Sequence, residues 1–151
     1  MHPQRIPSQS ELLQLFRKAG YRSLTPLQQR VIPLVLKGRD LAVQAAAGSG
    51  RTAAAVVSLI VGAKRNAASP VALAIVGAPA EVEEFSRTWT RFSRLLRDAP
   101  ALLALGETDD VRREQRRLEK GGAVVVGTAG RVIDHIRRGS LSFDALSTVL
   151  V

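Results

Sequence analysis

The sequence contains no cysteine, which excludes a disulfide framework, thiolate chemistry and cysteine-based metal centres. Histidine occurs only at His2 and His135. Two isolated imidazoles are too few to build a metal site, and His135 reads as a partly exposed helix residue. Long hydrophobic runs are also missing. The longest apolar stretch, 53–63, is too short for a bilayer core of about 30 Å, and residues 1–10 carry no apolar signal region. A soluble, cytoplasmic chain without a membrane partner is the expectation. Aromatic residues make up 4% of the chain. Three of them, Phe85, Trp89 and Phe92, fall with Leu96 on one face of a single helical stretch, a pattern expected of core packing rather than of a base-stacking platform.

Acidic residues are scarce beside basic ones, 13 against 22, for a formal charge of +9. Arg outnumbers Lys by 18 to 4, which suits phosphate-rich partners because guanidinium forks pair with phosphate oxygens. Compositional bias of the source is an equal explanation of that excess. Charge by itself leaves RNA, DNA and anionic membranes open.

Apolar runs rich in β-branched residues alternate with amphipathic stretches, the mark of βαβ units and a parallel sheet. With 151 residues and 46% hydrophobic content, one compact domain with its own core is expected. Strands are predicted at 41–45, 71–78, 101–105, 123–127 and 148–151. Helices are predicted at 10–19, 26–37, 51–64, 81–97, 109–120 and 131–138. Gly20, Gly38, Gly121 and Gly139 each follow a helix where a left-handed cap is wanted. Residues 65–70 read as a short connection.

The most informative stretch is 41–55, where an apolar strand is expected to run into Ala45, Ala46, Ala47, Gly48, Ser49, Gly50, Arg51 and Thr52, then an apolar helix. Glycines let backbone N–H groups close on an anion, the helix start adds partial positive charge, and a Thr hydroxyl can reach Mg²⁺. Arg51 stands where the usual phosphate-loop pattern has Lys, a change that should hurt transition-state placement more than nucleotide binding. The same segment also reads as a plain turn between strand and helix.

Upstream lie Gly20-Tyr21-Arg22-Ser23-Leu24-Thr25-Pro26-Leu27-Gln28, then Val31-Ile32-Pro33 and Gly38-Arg39-Asp40. This order and its spacing to the phosphate loop at 45–52 resemble the Q motif of DEAD-box RNA helicases. Locally, Thr25 and Pro26 also suit a helix N-cap followed by Pro at the first turn. Downstream, Val124-Val125-Val126-Gly127-Thr128-Ala129-Gly130-Arg131 is similar to the family's strand leading into TPGR, with Ala129 in place of Pro; a capped helix with an exposed Arg is the other reading. The family has an RNA-touching Arg where this chain has Glu81, and the aromatic residue that stacks on adenine has no clear counterpart near Pro3 and Ile6.

The resemblance spans about residues 10–151 and implies a RecA-like P-loop domain: α/β, a parallel sheet with helices on both faces. It implies that residues 1–151 form the N-terminal helicase lobe, incomplete at its C-terminal end. The acidic Asp-Glu-Ala-Asp motif and a second RecA-like lobe would follow Val151, so the 151 residues alone are expected to hydrolyse almost no ATP. By the same likeness, ATP and Mg²⁺ are the cofactors and RNA the partner. Gln28 would read adenine. Ala47, Gly48, Ser49 and Gly50 would wrap the phosphates, with Arg51 and Thr52 serving catalysis and Thr52 holding the metal. Thr128, Gly130 and Arg131 would hold RNA phosphates. Arg51, Ala47 and Glu81 together leave a second reading, a degenerate RecA-like module that binds RNA or protein without catalysis; a DNA helicase of the same superfamily is a third. The run Arg112, Arg113, Arg116 and Arg117 with Glu114 and Glu119 reads as a solvated helix face with i,i+3 and i,i+4 pairs, an RNA-facing patch being the alternative.

Overall fold

The computed structural model describes residues 6–63, 70–106, 110–120, 124–142 and 144–151. Pro3, most of the 65–70 connection, Asp109 at a predicted helix start, the cap at Gly121 and Ala123 at a predicted strand start lie outside them. The elements run α1 (Gln9–Lys18), α2 (Pro26–Leu36), α3 (Arg51–Gly62), β1 (Ala72–Val76), α4 (Pro79–Ser93), β2 (Leu102–Leu105), α5 (Val111–Glu119), β3 (Val124–Thr128), α6 (Ala129–Arg137) and β4 (Thr148–Leu150). Contacts divide the chain into two units, Met1–Gly62 with Thr88–Arg97, and Ala63–Arg87 with Asp98–Val151.

In the first unit the helix starts are written in the side chains. Ser8 accepts the Glu11 N–H while Glu11 accepts the Ser8 N–H, a reciprocal cap at α1. Thr25 and Gln28 repeat the arrangement at α2, with Pro26 at the first helical position. The caps predicted at Gly20 and Gly38 adopt the left-handed conformation, φ +89° and +74°. Leu12, Phe16 and Ile32 are fully buried, and α2 packs along α3. The Phe16 ring meets Tyr21 edge-on at 5.3 Å and Phe92 at 4.9 Å between centroids, while the Arg91 guanidinium lies over Tyr21 at 5.7 Å.

The second unit holds a four-stranded sheet in the order β2-β3-β1-β4. All of its pairings are parallel, with Leu73 opposite Val125 and Val149, and Leu103 opposite Val125. β3 is buried along its whole length, which is why it reads as an unbroken apolar run rather than an alternation. Leu73, Leu103, Leu105, Leu118, Val125, Val132 and Leu141 form a core cluster. Burying each of its larger side chains contributes about 1.5–3 kcal/mol. Gly127 lets the strand pack closely: a Cβ would sit 3.1 Å from Leu105 Cβ and 3.3 Å from Val132 Cγ2, so these neighbours would have to give by a few tenths of an ångström.

Four of the five predicted strands are found; those at 71–78, 101–105 and 148–151 are shorter than predicted, and the one at 123–127 runs on to Thr128. The fifth, at 41–45, is not a strand. Leu41 and Val43 are 41% and 42% exposed, and the four-stranded sheet contains no pairing for this segment. An apolar stretch becomes a strand only through a ladder of partners, and none is supplied among the described residues. The predicted helices all form, with shifted ends. α4 starts two residues early because the Glu81 carboxylate accepts the N–H groups of Gly77 at 2.7 Å and Ala78 at 3.2 Å. Of the predicted stripe, Phe85, Trp89 and Phe92 are buried at 3% exposure or less, but Leu96 lies beyond the end of α4 at Ser93 and is half-buried.

Candidate functional site

The loop before α3 carries two glycines with positive φ, Gly48 at +77° and Gly50 at +89°. Gly50 O accepts the Ala54 N–H and so opens the helix, but glycine has no side chain with which to cap the first-turn N–H groups. Such a start leaves donors and partial positive charge for an anion. Arg51 is exposed at the first helical residue, Thr52 is half-buried beside it, and Ala47 and Gly48 are exposed. Ser49 Oγ is buried without a hydrogen-bond partner among the described residues, an orphan of the kind that a bound group satisfies.

The two sequence motifs of this unit meet. Thr25 Oγ1 donates to Ser49 O at 2.9 Å, and Gln28 Nε2 donates to Gly50 O at 3.2 Å. Gln28 Oε1 accepts the Thr25 N–H at 3.0 Å. The Gln28 side chain is therefore buried, 1% exposed, and its amide already spends one donor and one acceptor on the backbone. One N–H and one lone pair remain. A Cβ at Gly50 would collide with the Gln28 amide and displace its bond to the Gly50 carbonyl, and the φ of +89° disfavours any side chain there. The family resemblance implied that the two motifs are neighbours; their direct bonds could not be read from it.

In the other unit, Thr128 caps α6 by accepting the Arg131 N–H at 3.4 Å, as its place before the helix predicted. Gly130 is open on its outer side. Arg131 is not the exposed residue that the plain capped-helix reading gave. Its side chain is 14% exposed, and its Nε and Nη2 each lie 2.9 Å from Glu114 Oε2. His135 is likewise not partly exposed but fully buried, with Nε2 2.8 Å from the same Glu114 oxygen and Nδ1 2.8 Å from Ser140 Oγ. Glu114 was expected on a solvated face; it is buried, and its Oε1 has no partner among the described residues. The reason is common to all three. A carboxylate, a guanidinium and an imidazole can enter a core together when they satisfy one another, whereas any one alone is expelled. The signal was the i,i+4 spacing of Glu114 with Leu118 on α5 and of Arg131 with His135 on α6, which puts each pair on one helix face.

The sequence profile of the DEAD/DEAH box helicase family matches residues 25–151. The chain belongs to the DEAD/DEAH box helicase family. It is 31% identical over 150 residues to the DEAD-box ATP-dependent RNA helicase CshA of Geobacillus kaustophilus, covering 98% of this chain and 31% of that protein. It is 34% identical over 143 residues to the enzyme of the same name from Bacillus subtilis, covering 94% and 28%, and 32% identical over 141 residues to the ATP-dependent RNA helicase DeaD of Escherichia coli, covering 93% and 22%. The chain thus spans less than a third of the length of these relatives. Among solved structures it is similar to a DEAD box protein from Methanococcus jannaschii, with a TM-score of 0.80 at 25% identity, covering 88% of this chain and 36% of that one. The fold of the yeast splicing factor Prp28 matches it with a TM-score of 0.80. The domain is RecA-like, as the family resemblance implied. No helix among the described residues is long and apolar enough to cross a membrane, and no cluster of three or more His, Asp or Glu among them is placed to hold a metal ion.

Proposed function

We propose that this DEAD/DEAH box domain is the ATP-binding lobe of an ATP-dependent RNA helicase, which in a longer cytoplasmic protein couples ATP hydrolysis to RNA separation or remodelling. The observation that carries the reading is the pair of bonds from Thr25 and Gln28 to the carbonyls of Ser49 and Gly50. They brace the loop whose N–H groups would receive phosphate, and they set a purine-capable amide beside it.

The residues present fit ATP and Mg²⁺. Ala47, Gly48, Ser49 and Gly50 would wrap the phosphates, the buried Ser49 hydroxyl gaining the partner it lacks. Arg51, exposed and without an ion pair among the described residues, would stand in for the usual Lys, and Thr52 would offer its hydroxyl to Mg²⁺. Gln28 would read adenine with its remaining N–H and lone pair. When bound, ATP supplies the γ-phosphoryl group transferred to water; this chain's residues bind and orient it. Thr128 and the N–H groups at Gly130 would receive RNA phosphates. Arg131 would support that contact through its bond to Glu114, since reaching for RNA itself would strand the buried carboxylate. A second RecA-like lobe would complete the enzyme.

Titration with a fluorescent ATP analogue and Mg²⁺ tests this reading. Arg51→Lys is expected to bind at least as tightly as the wild type, and Gln28→Ala to lose its preference for adenine over guanine nucleotides. Equal affinity of wild type and Gln28→Ala for both bases would refute the base-reading role. The chain alone is expected to show negligible RNA-stimulated turnover. A second reading, a degenerate module without catalysis, is favoured by Arg51 and by Glu81, whose carboxylate already occupies the Gly77 and Ala78 N–H groups. No measurable binding of the ATP analogue by wild type or Arg51→Lys would select it.

A further inference from the structure

The inward turn of Glu114 changes what the rest of α5 is. Of the residues in this helix, Glu114 and Leu118 are buried, while Arg112, Arg113, Arg116 and Arg117 are exposed. At about 100° per residue these arginines cover an arc of about 140°, and Glu114 lies outside it, about 60° beyond Arg117 and about 130° from the middle of the arc. Since Glu114 faces Arg131 and His135 of α6, the arginine face looks away from the start of α6. None of the four is ion-paired among the described residues. Glu119, the remaining acid of the helix, accepts a hydrogen bond from Gln115, and the Asp110 carboxylate caps the Arg112 N–H.

This face is electrostatically unfavourable for the protein alone. Arg112 with Arg116 and Arg113 with Arg117 are like-charge i,i+4 pairs, which destabilise a helix. Arg112 and Arg113 also sit in the first turn, where the helix dipole disfavours cations. A fold that keeps such a conflict with no internal partner among the described residues marks a place where an external one relieves it. Two rows of guanidinium groups about 6 Å apart along the helix axis, with no apolar side chain between them, suit an extended string of phosphates.

We infer that the outer face of α5 is a second phosphate-tracking surface for single-stranded RNA, separate from the α6 start and engaging a different stretch of the strand. It rests on the reading of the domain as RNA-directed. The charge complementarity is with a backbone rather than with bases, so the contact should be independent of sequence and steep in salt.

The test measures binding of labelled oligouridylate to the whole chain by fluorescence anisotropy over a range of salt. The variant Arg112→Gln/Arg113→Gln/Arg116→Gln/Arg117→Gln is compared with a control of equal charge loss, Arg17→Gln/Lys18→Gln/Arg94→Gln/Arg97→Gln. The α5 variant should reduce the log–log salt slope by about 2–3, as expected for four lost contacts to a single strand, and the control by less than half as much. Relief of the like-charge pairs should raise the melting temperature of the α5 variant by about 1–4 °C, which also shows that it folds. An equal slope change in the control would overturn the proposal, because net charge alone would then suffice. Competition by polyglutamate as effective as by unlabelled RNA at equal charge would overturn it in favour of an acidic protein partner. If Thr128→Ala weakens RNA binding while the α5 variant does not, the α5 surface fails and the RNA reading stands. If the wild type binds no oligouridylate even at low salt, both fail together.

Discussion

The starts of α3 and α6 look alike in sequence, each a glycine-containing turn with a Thr and an Arg, yet they spend those groups differently. At α3 the capping position is Gly50, the Arg51 side chain is exposed, and the neighbouring Ser49 hydroxyl is buried without a partner. At α6 Thr128 supplies the cap and Arg131 is bound to a buried carboxylate. The first start leaves the Arg51 and Ser49 side chains uncommitted among the described residues, while the second has already committed much of its polar capacity to the fold. An Arg beside a helix start is therefore no measure of anion binding until its carboxylate partners are counted.

The sharpest way to break this contrast is to remove the internal partner. Glu114→Ala should strand the Arg131 and His135 side chains and cost about 3–5 kcal/mol in chemical denaturation; a loss below about 1 kcal/mol would mean that the cluster is solvated. Gly50→Ala should come next. It imposes φ +89° on alanine and drives a Cβ into the Gln28 amide. About 1–3 kcal/mol of stability should be lost, together with binding of the ATP analogue, and unchanged affinity would show the loop to be a mere connection. Gln28→Ala is expected to cost about 1–2 kcal/mol by freeing the Thr25 N–H and the Gly50 carbonyl, and hydrogen exchange at 48–52 should quicken if the brace is real. Thr128→Ala should lose about 1 kcal/mol as an N-cap, with Thr128→Ser close to wild type. The smallest effect belongs to Arg138→Ala. Its i,i+4 partner Asp134 is 3.0 Å away, but both side chains are more than a third exposed, so screening leaves about 0.3 kcal/mol or less in a melt.

The fold was legible where local chemistry is self-sufficient. Capping residues, the left-handed glycines Gly20, Gly38 and Gly139 and the aromatic residues Phe85, Trp89 and Phe92 each depend on neighbours within a few positions, and each landed where the spacing put it. The 41–45 segment misled because Leu41 and Val43 carry strand character without a partner to pair with. Glu81 departed from the family's Arg, and only the structure revealed its use, as a cap over Gly77 and Ala78. The candidate site was legible in its members and not in its bonds: Gln28 and Gly50 were both singled out, but their contact spans 22 positions.

From the linear chain alone came the family, the parallel α/β class, the candidate phosphate-loop residues and the excess of basic charge, because periodicity, turn chemistry and motif order are properties of consecutive residues. The tertiary structure decided which charges are spent inside the protein and which face outward. Glu114, Arg131 and His135 are separated by 17 and 21 positions, and only their convergence in one core turns an expected solvent-facing acid into a buried counter-ion and leaves four arginines of α5 facing outward without one among the described residues.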